Sequence, residues 1–184
     1  RASLGGQDFT PAVQEAIGRI QPFETVVESV EYLKAVGITA INFDLMYGLP
    51  LQTADDVART AEMAASLEPA RIAIFGYAHV PWVKKGQRRF TEADLPATDL
   101  RQALQRLGRE RLVAAGYRDI GMDHFARPSD SLARAYDTGT LHRSFMGYTT
   151  RRVEPLIGLG VSAIGDAWTA FSQTDSIPGF VITR

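Results

Sequence analysis

Three strand-like runs, each ending in polar residues, constrain the fold of this chain most strongly. The polar ends fall at Gln7, at Asp44 and at Tyr77 to His79, with helical patterns between them. These intervals are about the length of a βαβ unit, whose right-handed crossover lays consecutive strands side by side. Because the carboxyl ends of parallel strands meet at one edge of a sheet, the polar ends are predicted to form one continuous site surface. The chain is therefore predicted to be an α/β protein.

The composition excludes several classes of protein. A chain of 184 residues with 45% apolar and 22% charged residues is typical of one globular domain or part of one. Twenty basic and twenty-one acidic side chains create no overall field, so neither nucleic-acid nor membrane binding is predicted. The absence of cysteine excludes disulfides, thiolate metal ligands and a cysteine nucleophile. Without a long apolar run, a cytoplasmic location is predicted.

The second strand-like run, with the sequence INFDL, shows the clearest alternation. Ile41, Phe43 and Leu45 give it one apolar face. Asn42 and Asp44 lie between them and therefore point to the opposite face. In a parallel strand covered by helices on its apolar side, the polar set points into a barrel lumen or crevice, where a buried carboxylate needs a partner. Asp44 is therefore predicted to be a buried acid that contacts a ligand.

Amphipathic patterns predict the helices that connect the strands. The first helix begins with Thr10 as its N-cap and Pro11 at its first position, and its apolar face reaches Ile20. Thr53 and Asp56 resemble a capping box at the start of a later helix, which runs to about residue 67. Further predictions are helices over residues 24–36, 98–115 and 130–136 and a strand over residues 120–125.

The stretch from Arg71 to Arg89 passes directly from a strand-like run into a polar and basic loop. Such a change is typical of an α/β enzyme whose strands deliver loops to a ligand. Since arginine binds carboxylates in a bidentate manner, local basic residues could receive an anionic substrate with several carboxylates. For each of them taken alone, a solvated loop charge is the alternative interpretation. The residues concerned are Lys84, Lys85, Arg88, Arg89, His142 and Arg143.

Four further residues have both a functional and a structural interpretation. Asp123 and His124 could form an acid/base pair, although adjacent residues of a strand face opposite sides and so cannot act as a simple dyad. A hydrogen-bonded structural histidine is the alternative. For Phe75 and Phe145 taken alone, core packing is favoured over ligand contact. The residues alone thus predict an α/β enzyme whose parallel sheet or partial barrel binds an anionic ligand.

Five motifs, taken together and in this order, resemble one enzyme family closely. The family is the oxygen-independent coproporphyrinogen III oxidases, which are radical S-adenosylmethionine enzymes of haem synthesis. DLMYGLP also occurs in related radical enzymes and in the haem-chaperone branch, whereas YAHVP, GMDHFA and the LHR to GYTT segment separate the oxidase from that branch. The motifs are GQDF at residues 6–9, DLMYGLP at 44–50, FGYAHVP at 75–81, GMDHFA at 121–126 and LHRSFMGYTT at 141–150.

The resemblance implies a fold and a reaction. Residues 1–90 would form the second half of a radical-SAM (β/α)6 partial TIM-type barrel, and residues 91–184 an α+β extension that completes the cavity. In this family a reduced [4Fe–4S] cluster cleaves S-adenosylmethionine to a 5′-deoxyadenosyl radical, which abstracts hydrogen from a propionate side chain. Loss of carbon dioxide and one electron leaves a vinyl group, and two rounds convert coproporphyrinogen III into protoporphyrinogen IX. An electron donor is implied as a further partner.

The resemblance also implies the residues that line the cavity. Two S-adenosylmethionine molecules lie near the cluster in this family, and no residue of this chain is predicted to bind the metal. The matching positions are Gln7, Arg19, Asp44 and Ala78 for one S-adenosylmethionine, Ile164 for the other, and Phe75 and Phe145 as the aromatic lining.

Several parts of the family pattern do not occur in this sequence, among them an upstream glycine-rich segment and an acidic ligand. Two further ones bear on the cluster and on the domain organisation. They are the CxxxCxxC motif, which supplies the cluster ligands, and the C-terminal helical domain. The chain is therefore expected to start midway through the barrel of a longer protein and, alone, to be inactive and to bind no cluster. It is also expected to self-associate through an exposed sheet edge and apolar lumen surface. Two alternatives stay open, a haem-chaperone-type radical relative and a cluster-free anion-binding module.

Overall fold

The computed structural model describes residues 1–144, 147–152, 155–160, 163–174 and 180–183, and it divides the chain into two compact units, 1–134 and 135–184. The first unit contains β1 (Ala2–Gln7), α1 (Pro11–Ile17), α2 (Phe23–Ala35), β2 (Ile41–Tyr47), α3 (Ala54–Ser66), β3 (Arg71–Gly76), α4 (Thr98–Ala114), β4 (Arg118–Gly121) and β5 (His124–Ala126). Helix α5 (Ser131–Asp137) lies at the boundary. The second unit continues with β6 (His142–Ser144), β7 (Gly147–Thr149), β8 (Ile164–Ala167), β9 (Ala170–Thr174) and β10 (Phe180–Thr183). Within these described ranges, no helix combines the length and the apolar character that crossing a membrane requires.

The first unit is built on a five-stranded sheet in the order β1-β2-β3-β5-β4. The pairs β1–β2 and β2–β3 are parallel, and the helices between them supply the crossovers. This part of the sheet has the predicted parallel arrangement. The outer pairs β3–β5 and β5–β4 are antiparallel, so the sheet as a whole is mixed.

The predicted strand over residues 120–125 is wrong, because the chain reverses in the middle of this run. Met122 and Asp123 have φ angles of 50° and 63°, and they connect β4 and β5 as an antiparallel hairpin. Two consecutive residues with positive φ are typical of a tight hairpin turn whose twist matches that of the strands. The sequence shows no glycine at either position, so the usual turn signal is missing.

The apolar face of the sheet packs against α2, α3 and α4. Gly108 lets α4 approach closely, since a Cβ atom there would lie 2.6 Å from Ile74 Cδ1. The buried residues of this core are Phe9, Val26, Val30, Ile41, Phe43, Leu45, Tyr47, Val57, Ala61, Ala64, Ile72, Ile74, Leu104, Leu112, Tyr117 and Phe125.

The ends of two helices test the capping predictions. The capping box is confirmed: Thr53 Oγ1 accepts from Asp56 N–H at 3.3 Å, and Asp56 Oδ2 accepts from Thr53 N–H at 2.9 Å. Thr10 occupies the N-cap of α1, but its side chain makes no capping hydrogen bond. Helix α1 ends early because Gly18 has the left-handed φ of 68°. Ile20 therefore lies outside the helix and is 66% exposed, contrary to prediction.

The second unit contains a two-stranded sheet, β6–β7, and a three-stranded sheet in the order β10-β9-β8. All of its strand pairs are antiparallel. Strands β4 and β5 lie beyond residue 90 yet join the sheet of the first unit. The predicted division at residue 90 stays a prediction.

Candidate functional site

The face of the sheet opposite the helices is lined with polar and small residues. Because paired residues in a sheet share a face, the register Gly5–Asp44–Ala73 places these three in one row. The row before it contains Ser3, Asn42 and Arg71. This arrangement confirms the predicted polar face of the second strand. It also brings the polar residues of different strands together, as the βαβ pattern predicts.

Asp44 has two hydrogen-bond partners on this face. Ser3 Oγ donates to Asp44 Oδ2 at 3.0 Å, and Asn42 Nδ2 donates to Asp44 Oδ1 at 2.9 Å. Asn42 Nδ2 also lies 2.9 Å from Ser3 Oγ, which closes a three-residue network. The carboxylate is half-buried, so the prediction of a buried acid is only partly correct. Each carboxylate oxygen keeps a lone pair for a ligand donor.

Gln7 reaches this face through an irregularity at the end of β1. The register shifts between Gly5 and Gln7, so that Gln7 pairs with Leu45 and Gly6 is an extra residue. Since Leu45 faces the core, its partner Gln7 would ordinarily face the core as well. Gln7 instead has a φ of 52°, which is rare for a residue with a side chain and changes the direction of its side chain. Its Nε2 atom lies 2.7 Å from the position that a Cβ on Gly5 would occupy. The bulge and the left-handed backbone thus turn the amide over Gly5.

Arg19 lies over the same glycine. Its Nη2 atom donates to the Gly5 carbonyl at 2.8 Å and lies 2.8 Å from the Cβ position of Gly5. Gln21 Oε1 accepts from Arg19 Nε at 3.3 Å and from Nη2 at 3.2 Å. A guanidinium has five N–H donors, so donors are left over for a carboxylate. Gln7 and Arg19 therefore meet over Gly5, whose lack of a side chain leaves room for both groups.

Phe75 and Ala78 lie at the end of β3 and in the loop after it. Phe75 is 36% exposed and stands edge-on to the His124 ring, with ring centroids 5.8 Å apart. Ala78 is exposed, and its carbonyl accepts from Gln87 Nε2 at 3.0 Å. His124 Nδ1 contacts the Met122 carbonyl, so His124 and Asp123 form no dyad in the hairpin. Phe75 faces solvent on the polar side rather than packing in the core.

The basic residues of the loop after β3 are all exposed. Arg88 Nε donates to the Pro81 carbonyl at 3.0 Å, and the Arg89 guanidinium lies against Gly18. Buried Tyr77 anchors the start of this loop, since its carbonyl accepts from Arg101 Nη2 and its hydroxyl lies 3.2 Å from His79 Nδ1. Both interpretations of the basic residues, substrate contact and solvated charge, are compatible with this exposure.

The fully buried acid near this site is Asp8, which the sequence interpretation missed. It is 0% exposed; Thr10 N–H donates to its Oδ1 at 2.6 Å and Gln52 Nε2 donates to its Oδ2 at 2.7 Å. Burial raises the pKa of Asp8, against the hydrogen bonds from Gln52 and Thr10, which lower it. The spacing of Asp8 and Thr10 before Pro11 is the available sequence signal, because an Asp side chain often accepts from the amide two residues on.

Two predicted cavity residues, Ile164 and Phe145, belong to the second unit by their position in the chain. Ile164 begins β8 in the second unit, where it is half-buried and pairs with Gln173. Phe145 lies outside the described residues. The roles of both residues stay predictions.

The polar face can hold a molecule with mixed donors and acceptors, but it offers little to a metal. In the part of the chain that the structure describes, His, Asp and Glu residues form no group of three that could hold a metal ion, and the sequence contains no cysteine. Asp44 offers acceptors, Arg19 offers donors, and Gln7 offers both. These groups suit a zwitterionic amino acid joined to a sugar, such as S-adenosylmethionine. They do not suit an iron–sulfur cluster, which thiolates normally hold.

Comparisons with known proteins point to one family. Residues 1–64 match the Radical SAM superfamily. The chain is 43% identical over 184 residues to the oxygen-independent coproporphyrinogen III oxidase of Paracoccus denitrificans, covering 100% of this chain and 41% of that protein. It is 48% identical over 177 residues to the Helicobacter pylori protein of that name, covering 94% of this chain and 38% of the other.

A solved structure shows the same likeness in three dimensions. The coproporphyrinogen III oxidase of Escherichia coli, described as a radical SAM enzyme, superposes with a TM-score of 0.89 at 40% identity. The match covers 95% of this chain and 40% of the solved one. It confirms the predicted fold class, α/β with the second half of a radical SAM barrel and a following α+β extension. The chain thus spans about two fifths of the length of these relatives.

Proposed function

We propose that this chain, which is homologous to one segment of the oxygen-independent coproporphyrinogen III oxidases of the radical SAM superfamily, forms part of the wall of their S-adenosylmethionine and substrate cavity. The observation that carries the proposal is the meeting of Gln7 and Arg19 over Gly5, in register with Asp44 on the same face of the sheet. These are the positions that the family motifs assign to S-adenosylmethionine.

Each of these side chains offers a group that S-adenosylmethionine can use. Arg19 supplies N–H donors for the methionine carboxylate. Asp44 accepts from the ribose hydroxyls or from the methionine ammonium, while Ser3 and Asn42 hold its two oxygens in place. The absent side chain of Gly5 lets the Gln7 amide and the Arg19 guanidinium lie directly against the sheet, where both can reach a ligand on the polar face. Ala78 and Ile164 are proposed as further contacts, the latter to a second S-adenosylmethionine.

The chemistry of the bound groups is that of the radical SAM family. A reduced [4Fe–4S] cluster and S-adenosylmethionine together supply a 5′-deoxyadenosyl radical. This chain contains no cysteine, so the thiolates of such a cluster must come from another part of the longer enzyme. The part played by the present residues is to bind and orient S-adenosylmethionine and to exclude water. The 184-residue chain alone is therefore proposed to be inactive.

The substrate is proposed to be coproporphyrinogen III, which carries four propionates. The exposed cations Lys84, Lys85 and Arg88 follow β3, which delivers Phe75 to the polar face. They are suited to attract carboxylates, and arginine can bind them in a bidentate manner. Phe75 supplies an aromatic surface for a pyrrole ring. We further propose that the longer enzyme receives electrons from a donor protein or cofactor and is located in the cytoplasm.

The proposal is tested with a chimera of the Escherichia coli coproporphyrinogen III oxidase. In this protein, called the chimera below, the present chain replaces the segment of the oxidase that aligns with it. The chimera is purified without oxygen and its cluster is reconstituted. Coproporphyrinogen III is supplied with S-adenosylmethionine, a reductant for the cluster and an electron acceptor for the electron that each decarboxylation releases. The expected result is protoporphyrinogen IX, measured by chromatography after oxidation to the fluorescent porphyrin. The control is the same chimera with Asp44→Ala, which should lose most of this activity.

Three outcomes would contradict the proposal. A chimera that binds haem but decarboxylates nothing would indicate a haem chaperone. A folded chimera with a full cluster that neither binds S-adenosylmethionine nor forms product would indicate an anion-binding module. Iron and sulfide in the isolated 184-residue chain, at one cluster per chain, would overturn the assignment of the cluster to another segment.

A further inference from the structure

The backbone of Gln7 is in a conformation that needs support. A residue with a side chain at a φ of 52° is strained, and such strain persists only where the surrounding structure holds it. Gln7 is also at a bulge, where the ladder of β1 and β2 is interrupted and gives it less support. The support must therefore come from residues next to Gln7 in the sequence or packed against them.

Asp8, the next residue, is fixed on all sides. Its carboxylate accepts from Thr10 N–H at 2.6 Å and from Gln52 Nε2 at 2.7 Å, and its carbonyl accepts from Gln14 Nε2 at 2.9 Å. Asp8, Gln14 and Gln52 are 0%, 4% and 3% exposed. A charged group buried this completely is retained only when its hydrogen bonds are well made. None of these three side chains belongs to the polar face described above.

Gln52 connects Asp8 to the loop after β2. Its Oε1 atom accepts from Gly48 N–H at 2.7 Å and from Leu49 N–H at 3.2 Å. Its Nε2 atom donates to Asp8 Oδ2 at 2.7 Å and to the Met46 carbonyl at 3.0 Å. All four hydrogen bonds that a glutamine amide can make are therefore used. Gln52 thus ties the ends of two neighbouring strands together.

We infer that Asp8 and Gln52 form a buried positioning pair that holds Gln7 in its left-handed conformation and so keeps its amide over Gly5. The inference rests on the proposed function, because Gln7 is useful there only if the site binds S-adenosylmethionine. Asp8 and Gln52 act through Gln7 and contact no ligand themselves. Without the pair, the peptide at Gln7 relaxes to negative φ and the amide leaves the site.

The chemistry of the pair allows a matched exchange. Gln52→Glu keeps the acceptor for Gly48 and Leu49 but places a carboxylate against the Asp8 carboxylate, which repels it. Adding Asp8→Asn restores a donor opposite an acceptor between residues 8 and 52, since Asn Nδ2 can donate to the new Glu carboxylate. Asn Oδ1 can still accept from the Thr10 amide. Only the bond to the Met46 carbonyl is lost. The double variant should therefore regain the geometry that the single variant loses.

The first experiment measures the backbone of Gln7 directly, by nuclear magnetic resonance on the full 184-residue chain. A positive φ gives a strong nuclear Overhauser effect between the amide and Hα protons of the same residue. The effect should be strong in the wild type, weak in Gln52→Glu and strong again in the Asp8→Asn, Gln52→Glu variant. A strong effect in Gln52→Glu overturns the inference, as does a weak one in a double variant that is folded by circular dichroism.

The second experiment measures the affinity of the chimera for S-adenosylmethionine in a double-mutant cycle. Gln7→Ala and Gln52→Glu should each weaken binding roughly 3- to 10-fold, the effect of losing one hydrogen bond. In the Gln7→Ala background, Gln52→Glu should change the affinity less than 2-fold, because its effect passes through the missing side chain. Additive losses would show that Gln52 acts by another route. If the chimera binds no S-adenosylmethionine, the proposed function fails, while the resonance experiment still decides the inference.

Discussion

Replacing Asp44 by alanine should separate ligand binding from stability. The carboxylate is half-buried, and its hydrogen bonds to Ser3 and Asn42 lie on the solvent side of the sheet. When it is removed, Asn42 Nδ2 still donates to Ser3 Oγ at 2.9 Å, so neither polar group is left without a partner. The free energy of unfolding should therefore fall by less than about 1 kcal/mol.

The effect of Asp44→Ala on binding should be larger. A hydrogen bond to a charged group contributes about 1.5–3 kcal/mol, and the methionine ammonium or the ribose hydroxyls would lose this acceptor. Since 1.4 kcal/mol corresponds to a factor of ten, the dissociation constant for S-adenosylmethionine should rise roughly 10- to 150-fold. An Asp44→Asn variant keeps one acceptor oxygen and should fall between the wild type and Asp44→Ala.

The assay combines calorimetric titration of the chimera with S-adenosylmethionine and urea unfolding of the same proteins. Glu31→Ala is the matched control, because Glu31 is an exposed acid on α2, on the helical side of the sheet. Glu31→Ala should change neither the dissociation constant for S-adenosylmethionine nor the free energy of unfolding measurably. If Asp44→Ala binds S-adenosylmethionine as tightly as the wild type, Asp44 is no ligand contact. If it unfolds at much lower urea, Asp44 is mainly a structural residue.

Three further predictions concern stability and association. Gly108→Ala should lower the free energy of unfolding, measured in urea, by about 1 kcal/mol. The new Cβ would lie 2.6 Å from Ile74 Cδ1, and this strain exceeds the gain in helix propensity. A rise in the free energy of unfolding would contradict the close packing. Burial raises the pKa of Asp130, but hydrogen bonds from Arg71 and the Leu132 amide outweigh it and leave the pKa below its ordinary value. Its stabilising effect is thus present above the pKa of the unfolded chain, near 4, and is lost as the pH falls through the lower folded value. Asp130→Asn should cost about 1–3 kcal/mol at pH 7, and thermal melts should show this difference shrinking below pH 4; a constant difference would exclude the ion pair as its cause. The edge of β1 that is not paired with β2 should let the 184-residue chain self-associate, seen by light scattering as a mass that rises with concentration; a constant monomer mass at high concentration would refute this.

The alternating pattern of β2 allowed a detailed prediction from sequence. Period-two alternation depends only on the geometry of a strand, so the faces of Phe43 and Asp44 follow directly from their positions. The capping box at Thr53 and Asp56 was predictable for the same reason, because all of its atoms are within four residues. Local chemistry of this kind does not depend on the rest of the fold.

The parts that could not be predicted depend on contacts between distant residues. The burial of Asp8 depends on Gln52, which is 44 residues away, and no local pattern links the two. The hairpin has no glycine at its two central positions, Met122 and Asp123, so its turn depends on the pairing of β4 and β5 with the sheet. The predicted apolar lumen surface stays a prediction: on this face of the first unit, exposed Phe75 lies beside the polar residues around Gly5 and Asp44.

The site separates the residues proposed to contact the ligand from those that hold them. Asp44 and Arg19 offer their polar atoms on the open side of the sheet, and both are only partly buried or exposed. Asp8 and Gln52 lie just beyond the ends of β1 and β2 and are nearly inaccessible. Exposed groups can exchange water for a ligand at little cost, whereas a strained backbone such as that of Gln7 needs buried hydrogen bonds to maintain it. A substitution in the buried pair should therefore reduce affinity by changing the geometry of the site while Asp44 and Arg19 stay in place. The double-mutant cycle measures this behaviour.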